Sequence, residues 1–428
     1  MVKKLLFICV PLMLCQYVQA QFLMDMVDTT TEMGKGMLGI YKKFDNIRIS
    51  GYMQPQWQIT SVEGAKNYSG GDFAPKSNIR FMLRRGRIRF DYIHFSELSG
   101  PSVQFVFQFD GTERGVFIRD FWGRFFENKY QLFAFTAGMF ARPFSYELNM
   151  SSSDRESPER GRMSQILMRT ERDLGAMISF EPRKKDHPLR LLKLDAGLFN
   201  GQGLSATTDF DSHKDFITRL GLKPANISSK IFISAAISYL NGGFIQNNKY
   251  VYSTSSGMVK IDSVASNEGK TAPRKYYGAD AQLKMKTKAG FTELRAEIIA
   301  GTQTGTHFSS ETPAALLAGS DGYYIRHFNG AYFYLLHNII NPHHQLIVKY
   351  DWYDPNNAVQ KNEINADANF SQADIKFSTL GFGYCYYINP TAKLVLWYDN
   401  ISNEHTGLPD FTTDVKDNVF TARLQFRF

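Results

Sequence analysis

The stretch FTARLQFRF, residues 420–428, alternates apolar and polar side chains at every position. Successive side chains of a β-strand point to opposite faces, so the pattern predicts a strand with one apolar face and one polar face that carries two arginines. A soluble sheet could use such a strand once, with its apolar face on a core. A membrane barrel needs the pattern in every strand, because lipid lies outside and water inside. The two faces consist of Phe420, Ala422, Leu424, Phe426 and Phe428, and of Thr421, Arg423, Gln425 and Arg427.

The same alternation recurs from about residue 46 to residue 428, and helical periodicity is scarce apart from a possible short helix over 37–47. Sixteen candidate strands begin near residues 46, 78, 101, 115, 130, 166, 189, 214, 229, 273, 290, 322, 341, 374, 391 and 416. The gaps between them are alternately long and polar, or short and turn-like. Long loops at one end and short turns at the other are typical of bacterial outer-membrane barrels. We therefore predict an all-β fold, a 16-stranded antiparallel transmembrane β-barrel over 46–428, with both chain ends on the periplasmic side.

Composition is compatible with this fold. Hydrophobic residues make up 43% of the chain and mean hydropathy is −0.30. Such values do not distinguish a membrane barrel from a soluble protein, because the lipid-facing and lumen-facing residues of a barrel average out. The 35 Phe and 22 Tyr suit strands and the aromatic girdles at a bilayer surface. The net charge of +8 favours anionic partners, but an exported protein would rarely meet nucleic acid, which we do not expect as a partner.

The beginning of the chain resembles a secretory signal peptide. Lys3 and Lys4 precede an apolar run of about ten residues, and VQA ending at Ala20 fits a cleavage site. We expect a signal peptide over 1–20, a short periplasmic segment over 21–45, and export to the outer membrane. Cleavage would leave Cys385 as the remaining cysteine, which the strand parity places facing inward as a buried, inert thiol.

The densest charge lies in RFMLRRGRIRFDY, residues 80–92. Arg85, Arg87 and Arg89 share one strand face at spacings of about 7 Å, and Arg84 has the other parity, which indicates a bulge or strand end near it. Such a ladder in a water-filled lumen would attract anions. The alternative is that these arginines are neutralised by nearby acids. The candidates are Asp91, Asp110 and Glu113.

Several motifs together resemble the phosphate-selective porins O and P and their relatives among Bacteroidetes-type outer-membrane proteins. They are RRGRIRFDY, RDFWGRF, AGMFARPFSYELNMSSSDRESPERGR and ERDLGAMISF, all within residues 79–180. The resemblance implies a homotrimeric porin whose third loop, about 142–165, folds into the barrel and narrows it. It implies an anion path lined by Arg85, Arg87, Arg89, Arg142, Arg155, Arg160 and Arg172. It also implies that Glu147 and Glu159 hold the loop by pairing.

The expected function is passive diffusion of small hydrophilic solutes across the outer membrane, with no cofactor, no metal and no energy source. The third loop alternates acids and bases, and Glu293, Arg295 and Glu297 share a face, so a general or mildly anion-preferring channel is favoured over a phosphate-specific one. Two rivals stay open. One is a barrel enzyme, although the nine histidines are scattered. The other is a non-conducting interaction or assembly barrel that uses long loops such as 242–272.

Overall fold

The chain forms a closed β-barrel. The structure is a computed structural model that describes residues 46–96, 100–206, 208–317, 319 and 321–428. Within these residues, sixteen antiparallel strands follow one another around the barrel, and a further hairpin, β10–β11, stands outside it. The predicted signal peptide, the 21–45 segment and nearly all of the possible 37–47 helix lie outside the described residues.

The strands are β1 (Ile47–Thr60), β2 (Ile79–Ser96), β3 (Gly100–Thr112), β4 (Gly115–Phe126), β5 (Phe133–Ala141), β6 (Arg172–Phe180), β7 (Leu192–Phe199), β8 (Asp215–Asn226), β9 (Ile231–Ile245), β10 (Val251–Ser255), β11 (Met258–Asp262), β12 (Thr271–Thr287), β13 (Gly290–Gly305), β14 (Tyr323–Ile339), β15 (His344–Asp354), β16 (Phe377–Asn389), β17 (Ala392–Asn403) and β18 (Val419–Arg427). The helices α1 (Tyr146–Asn149) and α2 (Arg162–Leu167) lie between β5 and β6. Single 3-10 turns occur in the loops at Ala265–Asn267, Lys361–Glu363, Gln372–Asp374 and Pro409–Phe411. No helix in the described residues is both long and apolar enough to cross a bilayer.

The barrel closes between β18 and β1. Trp57 opposes Ala422, and the ladder continues to the backbone of Phe428, whose N–H donates to the Gly51 carbonyl at 3.0 Å. A Cβ at Gly51 would lie 2.7 Å from the Phe428 ring, so only glycine permits this approach. Closure pairs every neighbouring strand and leaves no open sheet edge, as a barrel in lipid requires.

The alternation predicted from the sequence sorts the side chains as expected. Phe81 and Phe428 on the outer surface are 83% and 72% exposed, whereas Thr421 and Arg423 on the inner surface are 0% and 3% exposed. The prediction of a barrel with an apolar exterior and a polar interior is therefore confirmed.

The loops are sorted by end, also as predicted. One end carries the long connections, including 61–78, 142–171, 200–214, 246–270, 306–322, 355–376 and 404–418; the other end carries short turns and both ends of the barrel chain. The prediction for the sixth strand was wrong in position. Residues 162–167 form α2 instead, because Met163, Ile166 and Leu167 bury themselves against the barrel interior, and the strand starts only at Arg172.

The long connection over 246–270, predicted as an irregular loop, contains the β10–β11 hairpin. Its first strand pairs in parallel with the start of β14, with Val251 opposite Tyr323. Val259 of the second strand joins a small apolar cluster with Tyr324, Ile364 and Phe370 above the barrel. The loops at this end therefore fold together around a core of their own.

Candidate functional site

The connection over 142–171, called L3 below, folds into the barrel, as predicted. Its two halves are joined by Glu147, which is 2% exposed. This carboxylate accepts hydrogen bonds from the Gly161 N–H at 3.0 Å and from the Ser164 hydroxyl at 2.7 Å. It also lies 3.8 Å from the Lys349 ammonium on β15. Glu147 therefore ties L3 both to itself and to the barrel.

Apolar side chains of L3 pack against one half of the barrel interior, called the packed wall below. Phe144 meets the Tyr276 ring edge-on with centroids 6.1 Å apart. Met163 approaches so closely that its sulfur would lie 2.7 Å from a Cβ at Gly330. L3 and the packed wall are therefore in direct contact at this point. The wall is formed on β12 to β17 by Tyr276, Ile299, Phe328, Tyr332, Tyr334, Ile347, Tyr353, Cys385 and Trp397.

On its other side L3 meets a row of arginines on β2, β4 and β18, called the basic wall below. Glu159 of L3 forms ion pairs with three of them, at 2.8 Å to Arg84, 2.7 Å to Arg85 and 2.9 Å to Arg423. Burial alone would raise the pKa of Glu159, but the three guanidinium groups outweigh it and hold the pKa well below the ordinary 4.5. Glu159 is therefore charged at any physiological pH.

A second network continues along the basic wall. Arg87 donates to Asp110 at 2.9 Å, and Asp110 lies 3.8 Å from Arg119. Arg119 also pairs with Glu171 at the end of L3. The chain of ion pairs thus runs from β2 through β3 and β4 into L3.

Glu171 is the hub at which this network ends. It lies 3.4 Å from Arg160 and 3.6 Å from Arg172, and Arg172 pairs in turn with Asp120 at 3.1 Å. Burial would raise the pKa of Glu171, but the surrounding arginines hold it well below the ordinary value. The two networks together, called the throat, contain seven arginines and four carboxylates. They are Arg84, Arg85, Arg87, Arg119, Arg160, Arg172 and Arg423, with Asp110, Asp120, Glu159 and Glu171.

Two β-bulges bring neighbouring residues of the throat to the same side. On β2 the pairing with β1 shifts by one residue, so that Arg84 and Arg85 both oppose Gln54. On β4 the pairing with β3 shifts in the same way around Arg119 and Asp120. A bulge places two consecutive side chains where alternation allows one. The predicted irregularity near Arg84 is confirmed, and that on β4 was not foreseen.

Cavities lie at both ends of the throat. At the short-turn end is a chamber of about 560 Å³, lined by seven basic and two acidic side chains, including Arg89, Arg124 and Lys193. At the long-loop end is a vestibule of about 1000 Å³, lined by six basic and five acidic side chains. A small space of about 20 Å³ lies on the opposite side of L3, between Glu159 and Arg160 of L3 and Lys349, Asp351 and Trp397 of the barrel. The two large cavities thus lie toward the ends of the barrel, and the throat lies between them.

The structure brings most of the predicted arginines together, with differences. Arg85, Arg87, Arg160 and Arg172 belong to the throat. Arg89 lines the chamber and pairs with Asp91 at 2.6 Å. Of the acids considered as alternative partners, Asp91 and Asp110 do pair with these arginines, whereas Glu113 lies beside Arg114 instead.

Two predicted arginines lie elsewhere. Arg142 is 3% exposed at the root of L3, donates to the carbonyl of Thr170 and lies 3.8 Å from Asp173. Arg155 is 4% exposed, and among the described residues it has no carboxylate within ion-pair distance. Both are buried, and neither is among the residues that line the chamber or the vestibule.

Several members of the throat were not among the predicted site residues. Arg423 could have been found, because it stands on the polar face of the stretch at 420–428. Arg119 carried no such signal, since strict alternation makes it share a parity with the lipid-facing Phe117 and Phe121. The sequence shows that Glu171 is an acidic residue, but its role as the shared partner of several arginines depends on how L3 turns inside the barrel.

Cys385 faces inward as predicted, with 0% exposure and its sulfur 3.8 Å from the Glu156 carbonyl. Within the part of the chain that the structure describes, no group of three or more His, Cys, Asp or Glu side chains is arranged to hold a metal ion.

No protein-family model and no curated protein matches the sequence. Solved outer-membrane channels do share the fold. OprB of Pseudomonas putida superimposes with a TM-score of 0.57 at 7% identity, covering 93% of this chain and 98% of OprB. An anion-selective porin from Comamonas acidovorans gives 0.53 at 10% identity, covering 89% and 99% of the two chains. The channel DcaP of Acinetobacter baumannii gives 0.51 at 14%, covering 89% and 97%.

At these identities the likeness establishes the fold: the chain is a 16-stranded barrel of the porin type. The resemblance to the phosphate-selective porins O and P remains a prediction from the sequence.

Proposed function

We propose that the protein is an outer-membrane porin through which small hydrophilic solutes diffuse passively, with anions preferred. The observation that carries the proposal is the excess of arginine in the throat, seven guanidinium groups against four carboxylates. A solute would pass between L3 and the basic wall, because the chamber is lined by L3 on one side and by Arg87 and Arg172 on the other. The porin from Comamonas acidovorans that shares the fold is itself anion-selective.

The ion pairs make the positive electrostatic potential along this pathway moderate. An arginine held by a carboxylate still presents free N–H donors, yet it attracts a passing anion less than an isolated guanidinium would. Conduction needs such a balance, since an anion must be favoured on the way in and released on the way out. The proposed path residues are Arg85, Arg87, Arg89, Arg160 and Arg172, whereas the covered positions of Arg142 and Arg155 argue against a direct role for those two.

Glu147 and Glu159 would hold L3 in place, one against each wall. In this proposal the long-loop end faces the outside of the cell and the short-turn end faces the periplasm. The resemblance further suggests a homotrimer, an N-terminal signal peptide and passage of phosphate along with other anions. Native mass spectrometry of the purified protein in detergent tests the trimer, and N-terminal sequencing of that protein tests cleavage after Ala20.

Planar-bilayer recording under a KCl gradient is the decisive test. We expect discrete conductance steps and a reversal potential of the sign that chloride preference gives. A reversal potential of the opposite sign would reject the anion path. Replacing the gradient by potassium phosphate then measures whether phosphate passes as readily as chloride.

A non-conducting interaction barrel is the second candidate, and one observation favours it: ion pairs bridge L3 directly to the basic wall, across the proposed path. The same recording separates the two, because a closed barrel gives no steps at any voltage.

A further inference from the structure

Arg162, the first residue of α2, has a different environment from the other arginines of the vestibule. Its guanidinium carbon lies 3.5 Å from the centre of the Phe377 ring and 4.8 Å from that of Tyr68. The two rings cover the cation, and such contacts strengthen as water is excluded. Arg162 also lines the narrow gap beside Glu159, so it stands where the vestibule meets the throat.

The vestibule is lined by four arginines, and three of them are paired. Arg84 pairs with Glu159, Arg114 lies 3.8 Å from Glu113, and Arg169 lies 3.3 Å from Glu311. Among the described residues Arg162 has no carboxylate within ion-pair distance and no side-chain hydrogen bond, and Asp417 and Asp351 attract it from farther away. Its donors at the edge of the guanidinium group make no direct contact with a carboxylate and can therefore bind a ligand.

The ring of Tyr68 is fixed in position. Its hydroxyl donates to Glu311 at 2.9 Å, and its carbonyl accepts from the Gln165 side chain at 2.8 Å. Arg162 is thus held in a prepared orientation, which lowers the entropy lost when a ligand binds.

The surroundings also offer apolar surface. Five aromatic side chains line the vestibule: Tyr68, Phe308, Tyr353, Phe377 and Phe411. Phe308 is 71% exposed there, so its ring is available to a solute. A free guanidinium fork beside exposed rings fits a molecule with one oxyanion group and one planar apolar body.

We propose that Arg162 and the surrounding rings form a binding site for aromatic organic anions at the entrance of the throat. The oxyanion, a carboxylate or a phosphate ester, is bound by the free N–H groups of Arg162. The aromatic body stacks on the vestibule rings. The biological role of this site rests on the proposed function, because the site would make the channel favour aromatic anions over inorganic anions of equal charge.

The test is direct binding of two probes to the purified full-length protein in detergent, phenyl phosphate and methyl phosphate, by isothermal titration calorimetry. The probes share the charged group and differ in the body. We expect phenyl phosphate to bind about fivefold more tightly, the size of effect that one aromatic contact gives. Arg162→Gln should weaken phenyl phosphate to the level of methyl phosphate or below. Phe377→Leu, which removes a ring and keeps most of the volume, should remove part of the preference.

Arg114→Gln is the matched control, because it removes the same charge from the same vestibule at an exposed position without ring contacts. Equal binding of the two probes to the unmodified protein would overturn the inference, and so would an equal loss in Arg114→Gln. Binding does not depend on conduction, so a barrel that conducts nothing but prefers phenyl phosphate refutes the proposed function alone. A barrel that conducts anions but binds both probes equally refutes the inference alone.

Discussion

L3 touches two walls of the barrel, and the two contacts differ in kind. Toward the packed wall, Phe144 and Met163 are 0% and 1% exposed and fit against aromatic rings. Toward the basic wall, Glu159 meets three arginines, of which Arg84 keeps 28% of its side chain exposed. Apolar packing is dense and excludes water, whereas the arginines of a charged contact still present N–H donors to a passing anion. This difference is the reason for placing the proposed pathway on the charged side of L3.

This division predicts that stability and selectivity reside on different walls. Changes at the packed wall should loosen L3 with little effect on the ions that pass. Changes at the basic wall should alter the ions that pass, and they should also cost stability where they leave a buried charge without its partner. Each prediction below tests that separation.

Phe144→Ala should have the largest effect on stability. Removing a fully buried phenylalanine costs about 3–5 kcal/mol, so the unfolding midpoint in detergent should fall clearly. The reversal potential should stay unchanged, because no charge is altered. Phe308→Ala is the control, since that ring is 71% exposed in the vestibule and its loss should cost less than about 0.5 kcal/mol. Equal destabilisation by the two variants would argue against a packed wall.

Glu159→Gln should affect both properties. Removing one partner of a buried ion pair costs about 3–5 kcal/mol, and the partial exposure of Arg84 favours the lower end. Three arginines would lose their carboxylate, so anion preference should rise and single-channel current should become noisier as L3 loosens. Glu63→Gln, an exposed acid lining the vestibule, provides the control. A fall in anion preference would contradict the arrangement of the throat.

The double variant Arg87→Gln with Arg119→Gln should change selectivity more than stability. At a distance of about 8 Å in water each charge stabilises an anion by about 0.5 kcal/mol and destabilises a cation by as much, so removing the pair should lower the anion-to-cation permeability ratio about 30-fold. The matched control is Lys260→Gln with Lys270→Gln, which removes the same charge from the exposed loop around the hairpin. If the control shifts the reversal potential as far as the throat variant does, the pathway does not follow the basic wall.

The barrel was predictable from the sequence because its physics is local. Lipid outside and water inside impose alternation on every strand, so FTARLQFRF already shows the face that carries Arg423. Counting the alternating segments gave sixteen strands, the sorted loop lengths favoured a barrel, and the parity of Cys385 was correct. The sixth strand was predicted to begin near residue 166 because the apolar residues Ile166 and Leu167 are equally compatible with a strand and with a short buried helix.

The throat was predictable only in part, because bulges break the alternation from which faces are read. Arg119 lies between residues that face lipid, and only the shifted pairing with β3 turns it inward. Partners such as Glu171 depend on where L3 crosses the barrel, which is set by tertiary packing. Charges were therefore visible in the sequence, but their pairing was not.

The smallest expected effect concerns pH at the vestibule. Burial raises the pKa of Asp417 to about 6, against the opposing pull of Arg162, and Asp414 adds a smaller upward contribution. Because the folded pKa exceeds the ordinary 3.8, the folded state holds more protons between these values, and this residue's contribution to stability declines as pH rises through that window. Below pH 6 the vestibule lining loses one of its five acidic charges, so anion preference should increase from pH 7 to pH 5, by less than about twofold for a single charge near water.

Reversal potentials at the two pH values measure the change, and Asp417→Asn should remove the part that this carboxyl contributes. A pH response that persists unchanged in Asp417→Asn would assign it to another group and leave the throat, where Glu159 keeps its charge over this range, as the main source of selectivity.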